Sequence, residues 1–113
     1  MSVENLNEKR IVKLSKMITE NPDDLFLKYA LAMEYIGLNQ KDKSIEILSE
    51  IIEKDQSYTA AYYQLGVLHY SDGSNQKALQ FLKSGLDMAK VSGSNLKTIN
   101  EFKSLIEEIE FET

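Results

Sequence analysis

Apolar residues recur at intervals of three and four along nearly the whole chain. Near the start Ile11, Leu14, Met17 and Ile18 keep that spacing, and near the end Leu96, Ile99, Phe102, Leu105, Ile106 and Ile109 keep it again. Such spacing places the apolar side chains on one face of a helix, and no segment alternates with the period of two that a half-buried strand needs. Residues that stop or restart helices interrupt the pattern near Pro22, Asn39, Ser57, Gly73 and Gly93. The pattern predicts an all-α fold of about six antiparallel helices.

The middle of the chain also repeats itself. Leu31 and Leu65 stand 34 positions apart, and the same offset pairs Tyr29 with Tyr63, Ala32 with Gly66, Ile36 with Tyr70, Ser44 with Ala78 and Leu48 with Leu82. Gly66 lies inside an apolar helical run, where glycine costs roughly 1 kcal/mol relative to alanine. A close approach of two helices explains it, because the repeat puts small residues at matching places: Ala32 and Gly66 on the first helices, Ser44 and Ala78 on the second. A 34-residue unit that cannot bury its own apolar face is the period of tetratricopeptide repeats. The segments "KYALAMEYIGLNQKDKSIEILSEIIEKD" and "YYQLGVLHYSDGSNQKALQFLKSGLDMA" resemble two such repeats. The resemblance implies a short tetratricopeptide-type helical array, an α-α superhelix. Departures from the family pattern are Lys28 where the other unit has Tyr62, His69 where the other unit has Tyr35, and a single unit-ending proline, Pro22. They bear on how tightly each helix pair packs.

The flanks extend the register. Subtracting 34 from Ser44, Ile45, Leu48, Ile51 and Ile52 lands on Arg10, Ile11, Leu14, Met17 and Ile18, so residues 5–20 read as a leading half-repeat helix. Repeat 1 then spans 23–56, repeat 2 spans 57–91, and 95–111 forms a capping helix in which Asn100 replaces the small residue. Glu101, Glu107, Glu108 and Glu110 supply the polar outer face that the end of an array needs. One tetratricopeptide domain over 1–113 accounts for nearly the whole sequence. The turn "AKVSGSN" and the ending "LIEEIEFET" add a resemblance to small bacterial proteins with two tetratricopeptide repeats, which bears on architecture and not on activity.

Composition narrows the functions. At 113 residues, 42% hydrophobic and 27% charged, the chain has the balance of an ordinary globular domain. The charged opening "MSVENLNEKR" lacks the apolar stretch of a secretion signal, and no later run approaches a membrane span, so a cytoplasmic protein without a membrane partner is expected. A net charge of -5 opposes binding to phosphate backbones, so nucleic acid is not an expected partner. With no cysteine there is no thiolate nucleophile.

No residue set supports catalysis, a metal or a cofactor. His69 is the single histidine and falls at a packing position of a helix, leaving no triad to assemble. "SDGSNQ" lacks the alternating ligands and closing glutamate of a calcium loop. It reads as a helix stop with Gly73 at positive φ and Ser74 or Asn75 as cap. The C-terminal glutamates, Glu112 included, read as a solvated face. The chain is therefore expected not to be an enzyme.

In the family that the chain resembles, first helices line a concave groove. Carried over, that face holds Phe26, Tyr29, Met33 and Ile36 in one unit and Ala60, Tyr63, Val67 and Tyr70 in the next. Two fates are open to it: an accessible apolar and aromatic groove, or burial against the chain's own leading and final helices. The cationic clamp with which some members hold a chaperone tail is not repeated, since the corresponding places hold Tyr29, Met33, Gln64, Ser94 and Thr98, with Lys97 as the remaining cation. The expectation is a protein-interaction adaptor or scaffold that takes an apolar peptide or helix. A small acidic chaperone for an apolar client segment and a homo-oligomer that buries the groove on itself are the alternatives.

Overall fold

The computed structural model describes residues 3–113, with side chains from residue 6 onward; residues 1 and 2 of the span assigned from sequence lie outside the described ones. Six helices follow in order: α1 (Val3–Glu20), α2 (Leu25–Gly37), α3 (Lys41–Lys54), α4 (Thr59–Ser71), α5 (Asn75–Val91) and α6 (Leu96–Glu112). Among the described residues there is no strand. The helices are all-α as the apolar spacing requires, and every predicted interruption falls in a connection between two of them.

The connections show why the helices stop where they do. After α2, Asn39 takes φ 59°, its amide bonds the Ile36 carbonyl at 2.9 Å, and the Gln40 amide bonds the Tyr35 carbonyl at 2.9 Å. After α4, Gly73 takes φ 80° and the Gly73 and Ser74 amides bond the Tyr70 and His69 carbonyls in the same way. This paired cap satisfies carbonyls that the helix end would orphan, and it needs a left-handed residue, which glycine tolerates best and asparagine next. Asn39 and Gly73 are 34 positions apart, so the repeat extends to the turn. Helix starts are fixed by side chains at α2, where Asp24 accepts from the Leu27 amide, and at α6, where Asn95 accepts from the Thr98 amide. Ser74 stands at the cap position of α5 without a side-chain bond to the helix.

The chain divides into two compact units, Met1–Ile51 and Ile52–Thr113. In the first, the α2–α3 hairpin closes on small residues. Ala32 and Ser44 are fully buried, and the Ser44 hydroxyl donates to the Ala32 carbonyl at 2.8 Å, which removes the cost of burying it unpaired. Leu48 and Ile51 complete that interior. Helix α1 packs on α2, with Ile11, Leu14 and Ile18 half-buried, Met17 on the exposed edge and Leu27 of α2 buried.

The second unit closes its α4–α5 hairpin through shape. Gly66 is buried, and a Cβ there would stand 2.5 Å from Leu82 Cγ, so the close approach that the sequence implied is real. Helix α6 packs on α5, and its Phe102, Ile106 and Ile109 join Tyr62, Ala78, Leu82 and Ala89 in one core. Gly85 opens the place for this: a Cβ on it would meet both the Phe102 ring and the Tyr62 side chain at 2.6 Å.

Candidate functional site

The residues assigned to the first-helix face fall in both units. On α2, Phe26 and Met33 are exposed, Phe26 at 69%, while Tyr29 and Ile36 are half-buried. The spacing of three and four residues keeps them on one side of α2. On α4, Ala60 is exposed and Tyr63, Val67 and Tyr70 are half-buried. Tyr63 and Tyr70 pack along the edge of the second unit's core.

Tyr63 has two roles in the geometry. Its ring stands edge-on to Phe102 at 5.3 Å between centroids, which anchors it to the core. It also lines an open cleft of about 470 Å³ whose other wall is α6: Lys97, Asn100, Glu101, Ser104, Leu105 and Glu108. Burial pushes the Tyr63 phenol above its ordinary range, and the carboxylates of Glu101 and Glu108 add to the shift because they oppose a second negative charge. Tyr70, nearly two turns further along α4, donates its hydroxyl to Glu112 Oε2 at 2.5 Å. That bond raises the Tyr70 phenol strongly, with burial and the charges of Glu112 and Glu108 behind it. The α4 side of the cleft is therefore the Tyr63 ring, and the α6 wall is polar, with two carboxylates against one ammonium.

The α6 wall was not among the residues selected from the sequence, yet the register contains it. Adding 34 to Tyr63, Val67 and Tyr70 gives Lys97, Glu101 and Ser104, all three of which line the cleft. The same step from Gly66 gives Asn100, which is exposed there. Ala60 lies away from this wall, in a shallow hollow of about 290 Å³ with Ser57, Tyr58 and Thr59.

His69 occupies a packing position. Its ring stacks on Phe81 of α5 with centroids 5.4 Å apart and planes 1° from parallel. Burial holds its pKa below the ordinary value; Lys77 acts in the same direction and Asp72 against it. Among the described residues no three His, Asp or Glu side chains converge as metal ligands would, and no helix is long and apolar enough to cross a membrane.

No protein-family model matches the chain. In sequence it is 28% identical over 80 residues to a TPR repeat-containing protein of Pseudomonas aeruginosa, a match covering 71% of this chain and 76% of that one. In structure it is similar to a tetratricopeptide repeat domain protein of Salinibacter ruber, with a TM-score of 0.73, 26% identity, and 78% of this chain and 97% of that one covered. A protein of Bordetella parapertussis shares the fold over 99% of this chain and 90% of its own, with a TM-score of 0.77 at 21% identity. The 34-residue period, the capped helix hairpins and these likenesses agree: the chain has the helical repeat fold of the tetratricopeptide repeat family and resembles its small bacterial members.

Proposed function

We propose that the chain is a non-catalytic adaptor that holds a protein partner on the first-helix face, with Tyr63 as the anchor in the second unit. The tetratricopeptide fold supports a protein–protein interaction module in general. The observation that carries the finer reading is the position of Tyr63, fixed by Phe102 on one side and open to a cleft on the other. A tyrosine so held offers large apolar area with little left to lose in rotamer freedom, and its hydroxyl gives a polar tip; these properties make the residue common at binding hot spots. An extended peptide or a helix with an apolar anchor fits this wall.

The test is a photo-crosslinking residue placed at Lys97, which is exposed and lines the cleft, in cells that natively make the protein. A control carries the same group at Gln80, exposed on α5. Protein adducts at position 97, absent at position 80 and lost when Tyr63→Ser is added, are the expected result. Equal adducts at both positions would end the reading, while adducts to a second copy of the chain would replace the adaptor by an oligomer.

A further inference from the structure

We propose that the cleft between α4 and α6 takes a basic peptide segment, one whose apolar residue rests on Tyr63 while lysine or arginine side chains reach Glu101 and Glu108. This rests on the reading of the cleft as a partner site and adds the chemistry of the partner. The cleft offers an aromatic wall in Tyr63, an apolar patch in Leu105, and an α6 rim with two carboxylates against one ammonium, Lys97. Lys83 does not neutralise that rim, since it pairs at 3.1 Å with Glu110, which is not among the residues lining the cleft. Glu112 adds a further carboxylate where Tyr70 ends the same face. An acidic or anionic partner would meet repulsion from both rim carboxylates, whereas a cation gains from both and is opposed by Lys97 alone among the lining residues.

The spacing sharpens the inference. Glu101 and Glu108 are seven residues apart on α6, about two turns, so they lie on one edge roughly 10 Å from each other. An extended peptide advances about 3.3 Å per residue and its side chains alternate between two faces, so cationic side chains two positions apart, about 7 Å, point to the same wall and their flexible stems cover the remaining few ångströms. The apolar anchor then falls between them, opposite Tyr63, whose ring can also face a guanidinium.

The test displays random nine-residue peptides to the full chain and sequences those retained, after counter-selection on the Tyr63→Ser variant. Ser104→Arg, at an exposed position lining the cleft, serves for the counter-selection if Tyr63→Ser fails to fold. The expected peptides carry Lys or Arg two positions apart around an apolar residue. Their binding should weaken about 10-fold in the Glu101→Gln, Glu108→Gln double variant and fall as salt is raised, as charge-led contacts do. Peptides retained through Tyr63 with no basic preference, or with an acidic one, would overturn the cationic partner and leave the adaptor reading in place. Retention that does not depend on Tyr63 or Ser104 would overturn both.

Discussion

In the first unit the added helix α1 combines half-buried aliphatic side chains with hydrogen bonds to a carboxylate, and in the second α6 is seated by a fully buried ring. Asn7 Nδ2 and Arg10 Nε of α1 each donate to the Glu34 carboxylate of α2 at 2.6 Å. Asn7 is buried and its Oδ1 has no hydrogen-bond partner among the described residues, a cost of about 1–3 kcal/mol that offsets part of the gain. The Arg10 side chain is half exposed, so its pair with Glu34 contributes less than about 1 kcal/mol. In the second unit Phe102 of α6 is fully buried between Tyr62, Tyr63 and Gly85. The repeat register shows how one frame allows both solutions. Glu34 corresponds to the buried Leu68, and Gly85 corresponds to the buried Ile51. At these two register positions the hairpins differ: Glu34 takes the hydrogen bonds of α1, and Gly85 leaves room for the Phe102 ring of α6.

The sharpest way to break this contrast is Phe102→Ala. Removing a fully buried phenylalanine should cost the second unit about 3–5 kcal/mol in a urea titration followed by circular dichroism. A loss under about 1 kcal/mol would mean that α6 is not seated by its ring, and the contrast would fall.

A smaller effect separates two helical glycines. Gly66→Ala gains helix propensity but drives a Cβ into Leu82 inside a closed core, so a net loss of about 1–3 kcal/mol is expected. Gly37→Ala meets the end of the Asn7 side chain, 2.8 Å away at Nδ2, so that amide must shift at the expense of its bond to Glu34. Its loss should be smaller than at Gly66, about 1 kcal/mol, the worth of one weakened hydrogen bond. Equal losses at both positions in parallel melts would show that the first unit is packed as tightly as the second.

The smallest effect belongs to Glu34→Gln. The Arg10 hydrogen bond, helped by Asn7 and opposed by burial, holds Glu34 below its ordinary pKa of 4.5. A lowered folded-state value means that its contribution is present above 4.5 and is lost as pH falls through the folded value. At neutral pH the variant should melt slightly lower, by less than about 1 kcal/mol, and the gap should shrink steadily as the pH is taken below 4.5. A gap that widens on acidification would assign the seating of α1 to something other than this carboxylate.

Helix number and the places where helices stop were legible because they depend on local chemistry: apolar residues at 3.6-residue spacing, interruptions near Pro22, Asn39, Ser57, Gly73 and Gly93, and Gly73 at positive φ. The caps at Asp24 and Asn95 were not among those expected, and Ser74, which was, makes no side-chain bond. The close approach at Gly66 was legible too, because a costly glycine in a helix calls for a neighbour and the repeat points to where it is. The face carrying Tyr63 was carried over from the family resemblance. Its depth was not legible, since spacing along a helix says which way a residue points and nothing about how far a neighbour covers it.

The sequence by itself therefore determined the all-α repeat, its 34-residue register and the small residues that let each hairpin close, since each follows from contacts within one unit of the pattern. Only the tertiary structure decided that Phe102 fixes Tyr63 from α6, that an open cleft separates Tyr63 from the register positions Lys97, Glu101 and Ser104, and that Asn7 and Arg10 reach Glu34. These groups lie more than 20 residues apart in the chain. Their meeting depends on how one helix lies across the next, which packing sets and no local pattern encodes.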